Sequence, residues 1–286
     1  MSIKPLLFIF AYFCFWSTLW AQEDKAEIVW LQHNRPPWLI SEGTYKNQGY
    51  GDKTREILTN RYLKDYDHIL LPVNPSRENI LVTQTNQNIC IGPNLKHKPY
   101  VSHLYWSKPI YTLPKARIIL TKEKLEELNN IEEISMEELI QNEKFRFGNI
   151  KSAKYYPLDI KNYLNQKNIY TISSGSPLTH LLKMMRKNRI DWIFDHPVFV
   201  RWDEILSQNN EDKFRTIRVT EDKDTPNPVA YIACRKNEFG KKIIDTINKN
   251  LTQKDILDIR KEVRIWQLDE NTKKFYDKLN QDYFGY

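Results

Sequence analysis

Short apolar stretches alternate with longer amphipathic ones along the chain, and this alternation limits the folds that it can adopt. In the first third, the stretches 26–33, 68–73 and 88–92 have the composition of strands. The stretches 49–63 and 75–84 between them carry apolar residues at helical spacing. Because parallel strands need a crossover connection, this order predicts an α/β fold whose strands run largely parallel.

A second region with the same alternation follows and predicts a second α/β unit. Its strands are predicted at 115–122, 145–150, 169–174 and 189–195. A helix is predicted at 175–188, where leucine and methionine recur on one face. A further strand at 227–236 and two terminal helices complete the chain.

The chain passes between these two units twice, near 112–115 and near 225–229. An inserted unit joined by two strand-like connectors predicts a hinged pair of lobes. The predicted division is lobe one at 22–112 and 227–286, and lobe two at 113–226. Ligands of open α/β sheets bind beyond the carboxyl ends of strands, so we expect a cleft that closes around a ligand.

The first 21 residues predict a secretory signal peptide. Lys4 gives a basic start, the stretch 5–20 is almost wholly apolar, and charged residues follow Ala21. The apolar stretch is short for a membrane span, although an uncleaved anchor is the alternative. Cleavage would place the protein in the periplasm.

Cys90 and Cys234 are the two cysteines beyond the predicted signal peptide. In an oxidising compartment such a pair is a candidate disulfide, and two buried free thiols are the alternative. The net charge is +7, but basic residues are interspersed with acidic ones. This pattern favours a solvated basic surface over a nucleic-acid partner.

Neither a metal nor a cofactor is predicted. His97 and His103 have no nearby cysteine or histidine at a ligand spacing. The segment "GYGD" at 49–52 lacks the third glycine of a dinucleotide-binding motif.

Two motifs lie in an order that is typical of a known family. "WSKPIY" at 106–111 is similar to the Phe-Ser-Lys-Pro-Tyr segment, and "NRIDWIFD" at 188–195 to the Gly-Arg-x-Asp-Ala segment, of that family. With the "PPW" loop at 36–38, the chain resembles the family 3 extracellular solute-binding proteins, in a branch related to the polar amino-acid binders. The resemblance covers nearly the whole mature chain. It implies a two-lobed periplasmic-binding-protein type II fold, with two parallel-rich sheets, a two-strand hinge and no catalytic activity.

The resemblance also implies ligand-binding residues. The loop after the first strand carries an aromatic residue that packs on the ligand in this family, and Trp38 would be that residue, beside Asn34 and Arg35. The alternative is that Trp38 fills the domain core from the loop. Asp195 lies near the family's acid for the ligand's amino group, and His196 takes that place if the register shifts by one.

Further candidates lie around the same cleft. Ser173 and Ser174 precede a helix N-terminus, where hydroxyls and free backbone N–H groups suit an anionic or carbonyl group; an ordinary helix cap is the alternative. Tyr155 is expected to line the cleft. Arg77 either points into the cleft or is solvated at a helix start.

One position departs from the family pattern. The amino-acid binders place an arginine about six residues before the Phe-Ser pair, where it clamps the α-carboxylate. Counting back from Trp106, that position is Tyr100. Lys96 and Lys98 lie nearby, but an ammonium group cannot reproduce the planar fork of arginine. We therefore expect a ligand recognised by stacking and neutral hydrogen bonds, or by a different anionic group.

The sequence thus predicts a monomeric periplasmic protein that captures a small polar solute for an inner-membrane permease of an ABC transporter, or for a sensor. A small dehydratase-like or lyase-like enzyme on the same fold and a stand-alone sensory receptor are the alternatives. Asp195, His196 and His33 are conceivable general acids or bases, but no pair has a diagnostic spacing.

Overall fold

The computed structural model describes residues 25–96, 98–151, 160–173, 177–207, 213–268 and 270–286. The predicted signal peptide and the candidates Tyr155 and Ser174 lie outside the described residues. Among the helices of the described part, none is long and apolar enough to cross a membrane.

Strands and helices alternate through both units. The described strands are β1 (Glu27–Gln32), β2 (Asp67–Pro72), β3 (Ile89–Leu95), β4 (Leu104–Trp106), β5 (Tyr111–Thr112), β6 (Arg117–Thr121), β7 (Glu133–Ile134), β8 (Phe147–Ile150), β9 (Ile169–Ile172), β10 (Trp192–Asp195), β11 (Phe214–Val219) and β12 (Val229–Arg235). The described helices are α1 (Tyr50–Tyr62), α2 (Pro75–Gln84), α3 (Lys98–Val101), α4 (Lys122–Glu127), α5 (Met136–Gln141), α6 (Pro177–Arg186), α7 (Val198–Ser207), α8 (Glu238–Asn250), α9 (Gln253–Arg264) and α10 (Glu270–Phe284). Short 3-10 helices lie at Ile160–Tyr163 and Thr220–Asp222.

The first sheet has the strand order β2-β1-β3-β12-β4, and β5 also pairs with β12. β1 runs parallel to β2 and β3, with α1 and α2 as the predicted crossovers. β12 runs antiparallel to β3, β4 and β5. A disulfide joins Cys90 on β3 to Cys234, which lies opposite it on β12.

The second sheet has the order β7-β11-β6-β10-β8-β9. β8 is parallel to β9 and β10, and β7 is parallel to β11, whereas β6 is antiparallel to β10 and β11. The predicted two-lobed α/β fold class is confirmed, and each sheet is mixed. β6 and β12 each begin directly after a connector between the units. Each therefore runs in the opposite direction to the strands with which it pairs.

The two connectors between the sheets, residues 113–116 and 220–228, lie side by side. The backbone N–H of Leu113 and the hydroxyl of Thr112 both donate to the carbonyl of Pro228, each at 2.9 Å. The predicted lobe boundaries fall on these connectors. That each lobe moves as one unit remains a prediction.

α10 is fixed to the start of the first connector by one buried side chain. The Asn280 side chain accepts the backbone N–H of Thr112 at 3.0 Å and donates to its carbonyl at 3.1 Å. The C-terminal helix therefore holds the strand that leaves the first sheet.

Three helices rather than two follow β12, so the prediction of two terminal helices was wrong. The extra helix, α9, begins with a capping box in which Thr252 and Asp255 bind each other's backbone N–H groups. Ile256, Ile259 and Val263 bury one face of it. α7 was not predicted either, because its start is rich in valine and phenylalanine, which favour strands.

Candidate ligand-binding cleft

The loop between β1 and α1 is fixed to α1 by the buried carboxylate of Asp52. This carboxylate accepts the backbone N–H groups of Ile40 at 2.9 Å and Gly49 at 3.2 Å, and the Gln32 side chain at 3.1 Å. Burial raises the pKa of Asp52, and the backbone N–H groups of Ile40 and Gly49 and the Arg55 guanidinium oppose the rise. The polar residues of "GYGD" therefore have a structural role that holds the loop in one place.

The two prolines of this loop form a tight turn that carries Trp38. Arg35 and Leu39 pair through their backbones, at 2.9 Å from the Arg35 N–H to the Leu39 carbonyl. The Trp38 carbonyl accepts the N–H of Gly51 at 2.8 Å. A Cβ atom at Gly51 would lie 2.6 Å from the indole Cδ1 atom, so glycine allows the indole to pack on the first turn of α1.

The Trp38 indole is partly buried against the core and stacks on the His33 imidazole, with ring centroids 6.4 Å apart and planes at 22°. Trp38 as a whole residue is partly exposed. Trp38 thus has the packing of a core residue and also a surface that a ligand could contact.

Arg35 and Asp195, both predicted as ligand-binding residues, pair with each other between the two units. The Arg35 Nη2 atom lies 3.1 Å from both carboxylate oxygens of Asp195, and its guanidinium carbon lies 5.1 Å from the ring centroid of Phe199. The Asp195 side chain is 8% exposed and that of Arg35 is 50% exposed. This contact joins the loop after β1 to the carboxyl end of β10 and marks where the two units meet.

His196, the next residue after Asp195, is held at the first connector. Its Nδ1 atom lies 3.0 Å from the carbonyl oxygen of Pro114. Burial lowers the pKa of this imidazole, and the Asp195 carboxylate opposes that effect. Among the described contacts, the His196 side chain binds the Pro114 carbonyl, whereas the Asp195 side chain binds Arg35 of the other unit.

Tyr100, at the position where the family pattern has an arginine, belongs to a buried hydrogen-bond network around Glu78. Glu78, on the first turn of α2, is 5% exposed and forms a hydrogen bond with His33. The Tyr100 hydroxyl hydrogen-bonds the same carboxylate, and burial together with this charge raises the pKa of Tyr100. The structure therefore has a buried carboxylate and a hydroxyl at this position.

Sequence reasoning missed Glu78 because an acid in the first turn of a helix is ordinary and favours the helix dipole. Its partners His33 and Tyr100 come from other segments of the fold, and no sequence signal shows these contacts.

The remaining candidates lie apart from the Arg35–Asp195 pair in the described contacts. Asn34 binds within its own loop, donating to Glu42 at 2.6 Å and accepting the Ser41 N–H at 3.3 Å. Arg77 is exposed on α2, as expected for a solvated arginine at a helix start. Ser173 is exposed directly after β9.

Lys96 follows β3 and lies over an aromatic pair. Its ammonium nitrogen is 4.1 Å from the ring centroid of Tyr231, which meets Trp106 edge-on at 6.1 Å. Lys96, four residues before Tyr100, is thus engaged in a cation–π contact. Among the described residues, no group of three or more His, Cys, Asp or Glu side chains is suited to hold a metal ion.

Comparisons of the whole chain give similarity in structure but not in sequence. No protein-family model matches the chain. No curated protein matches its sequence either.

Solved structures of similar fold cover most of the chain. One, from work on glutathione import via GshT and the cystine ABC importer TcyBC of Streptococcus mutans, is 14% identical with a TM-score of 0.62, covering 87% of this chain and 99% of that one. The amino-acid ABC transporter substrate-binding protein AbpA of Streptococcus pneumoniae, bound to L-arginine, is 14% identical with a TM-score of 0.59, covering 86% and 97%.

A third similar structure is the periplasmic domain of BvgS of B. pertussis, with 13% identity and a TM-score of 0.57. The match covers 91% of this chain and 46% of that one. At these identities the comparisons establish the fold. The chain therefore shares the two-lobed α/β fold of the substrate-binding proteins of amino-acid ABC transporters, as the sequence resemblance predicted.

Proposed function

We propose that this chain is a solute-binding protein that captures a small polar ligand between its two lobes. The Arg35–Asp195 contact carries the proposal, because it joins two lobes through side chains at the loop after β1 and at the end of β10. Both are positions where ligands bind in open α/β sheets. The partly exposed Trp38 indole on the same loop adds a flat surface for stacking.

The chemistry of the lobe-one wall supports a ligand without an α-carboxylate clamp. Tyr100 and Glu78 present a hydroxyl and a carboxylate, and neither attracts a second carboxylate. Arg35, the nearest guanidinium on this loop, is paired with Asp195. We propose that the end of the ligand nearest to the buried Glu78 charge is neutral or cationic, and that Trp38 stacks on it.

A periplasmic or other extracellular location is part of the proposal. The Cys90–Cys234 disulfide is typical of oxidising compartments, and the predicted signal peptide would direct the chain there. The loaded protein would deliver its ligand to an ABC permease or to a sensor in the membrane. We propose that it acts as a monomer and that it lacks catalytic activity.

A thermal-shift screen of the mature chain tests the proposal. The library contains amino acids, short peptides, dicarboxylates, sugars, polyamines and aromatic acids. A ligand that binds only the folded state at a hundred times its Kd adds about 2.7 kcal/mol of stability, so its melting temperature must rise. Hits from one chemical class support the proposal, and polyamines or neutral solutes are expected before dicarboxylates. A flat result across the library would contradict capture of a small solute.

Two variants follow any hit. Trp38→Ala should weaken binding at least about tenfold through loss of stacking, whereas Tyr170→Ala, which removes an exposed aromatic ring on β9, should leave it unchanged. The ligand should also be recovered chemically unchanged. Conversion of the ligand that is lost in Asp195→Asn would instead establish the enzyme alternative.

A further inference from the structure

A second cavity lies beside the connectors, between α10 and the second sheet. Its volume is about 520 Å³, within the range of small-molecule sites. Residues from both connectors, from the start of β6 and from the end of β11 line it, and Phe275 of α10 lies at its lobe-one side.

This cavity lies next to the cleft and is lined by other residues. It contacts β7, β11 and β6 of the second sheet. Arg117 on β6 lies opposite Asp195 on β10, so the two sites meet at this strand pair. None of the predicted ligand-binding residues lines the cavity.

The cavity lining has more basic than acidic side chains. The basic ones are Lys115, Arg117, Arg218 and Lys223, and the acidic ones are Glu133 and Asp222. Arg218 pairs with Glu133 at 3.4 Å, and Lys115 lies 3.9 Å from Asp222. These contacts engage both acids of the lining.

The two remaining cations lack such partners. Among the described residues, neither the Arg117 guanidinium nor the Lys223 ammonium has a hydrogen bond or ion pair. Arg117 is partly buried, whereas Lys223 is exposed. Burial lowers the pKa of Arg117, and the Arg218 charge adds to that effect, whereas the Asp222 charge opposes it. A bound anion would give the Arg117 guanidinium a direct partner, in a charge-assisted hydrogen bond.

Phe275 adds an apolar surface to this charged lining. It is 45% exposed although it is a large hydrophobic residue. A ligand with an anionic head and an apolar body would contact both kinds of surface.

We propose that this cavity, named here the hinge cavity, binds a small organic anion, with its carboxylate or phosphate on Arg117 and Lys223 and its apolar part on Phe275. Asn280 fixes α10 to Thr112, while Arg117 and Arg218 belong to the second sheet. An occupant would therefore contact both lobes across the connectors.

Titration calorimetry of the mature chain with benzoate and phenyl phosphate tests this site. Benzyl alcohol lacks the charge and inorganic phosphate lacks the ring. We expect saturable binding of one or both aromatic anions, weaker binding of inorganic phosphate and none of benzyl alcohol. The stronger aromatic anion identifies the preferred head group. Hydrogen exchange should slow in 113–116 and 220–228 when the anion is bound.

Variants locate the binding. Arg117→Gln and Lys223→Gln should each weaken it at least about tenfold, while the exposed Arg77→Gln on α2 should not. Arg117→Gln should leave the melting temperature nearly unchanged, because the guanidinium has no hydrogen bond or ion pair among the described residues. Lys223 is exposed, so its variant keeps the test valid if Arg117→Gln does not fold.

Two results would overturn the proposal. One is the absence of binding of both aromatic anions at millimolar concentration. The other is binding that neither Arg117→Gln nor Lys223→Gln weakens. Both results are independent of whether the cleft binds a solute.

Discussion

Glu78 is a buried side chain that connects two polar residues of lobe one. Its carboxylate is nearly inaccessible to solvent and holds both His33 and the Tyr100 hydroxyl. We predict that Glu78→Ala lowers the free energy of unfolding by about 2 kcal/mol, because two polar groups lose their partner in a buried place. Urea unfolding of the two proteins measures the difference.

The matched control for this prediction is Glu56→Ala. Glu56 pairs with Lys53 at 2.8 Å on the exposed face of α1, with a side chain that is 52% exposed. Its loss should change stability by less than about 0.5 kcal/mol. Equal effects of the two substitutions would show that the Glu78 network adds nothing to stability.

At the scale of elements, Asp255 connects the start of α9 to α1. Burial alone would raise its pKa, but hydrogen bonds from Thr252, Tyr62 and Arg61 outweigh burial and lower the pKa to about 2. The unfolded value is about 3.9, so this contribution is complete above about pH 4 and is lost as the pH falls towards 2.

We therefore predict that Asp255→Asn lowers stability at neutral pH by about 1–2 kcal/mol, as for loss of a helix cap. The gap between wild type and variant should shrink as the pH is lowered through this window, in urea unfolding at several pH values. Asp245→Asn, at an exposed position of α8, is the control and should run parallel to wild type. A gap that stays constant down to pH 2 would contradict the role of the ionised carboxylate.

The disulfide between β3 and β12 acts on the same scale. Cys90 and Cys234 are 144 residues apart in sequence, so their bond closes a long loop in the unfolded chain. We expect its reduction to cost about 2–5 kcal/mol, seen as a lower melting temperature in the presence of reductant. A Cys90→Ala/Cys234→Ala variant should melt early and show no response to reductant. Two thiols that react in the unreduced, periplasm-derived protein would contradict the prediction.

At the scale of the whole molecule, the Arg35–Asp195 contact joins the two lobes. We predict that Arg35→Gln shifts the chain towards more open arrangements. Because Arg35 is half exposed, loss of the pair removes about 1 kcal/mol, which changes the ratio of open to closed forms about fivefold. Small-angle X-ray scattering should then give a larger radius of gyration than for wild type.

Arg77→Gln is the control, because Arg77 is an exposed arginine on α2 without a cross-lobe contact among those described. Its scattering should match that of wild type. If Arg35→Gln and wild type scatter alike in the absence of ligand, the pair does not influence the lobe arrangement.

The sequence by itself determined most strands of the sheets and the order of the units, whereas β4, β5, β7 and β11 were not predicted. Strand and helix periods are local properties, so β1, α1, β2, α2 and β3 could be predicted from neighbouring residues. The fold class followed from their alternation. The same local reasoning failed for α7, where valine and phenylalanine favour a strand but packing favours a helix.

Only the tertiary structure decided which side chains meet. Arg35 and Asp195 are 160 residues apart and Glu78 is 45 residues from its partner His33, so no local pattern links them. Arg35 and Asp195 were predicted to bind a ligand, His33 was named as a conceivable general acid or base, and Glu78 was not predicted. The fold pairs Arg35 with Asp195 and His33 with Glu78. The hinge cavity has the same origin, since Arg117 and Phe275 come close only when α10 packs beside the connectors. Periodicity depends on adjacent residues, whereas pairing and burial depend on how distant segments pack, and for this reason the chemistry of the cleft could be established only from the folded chain.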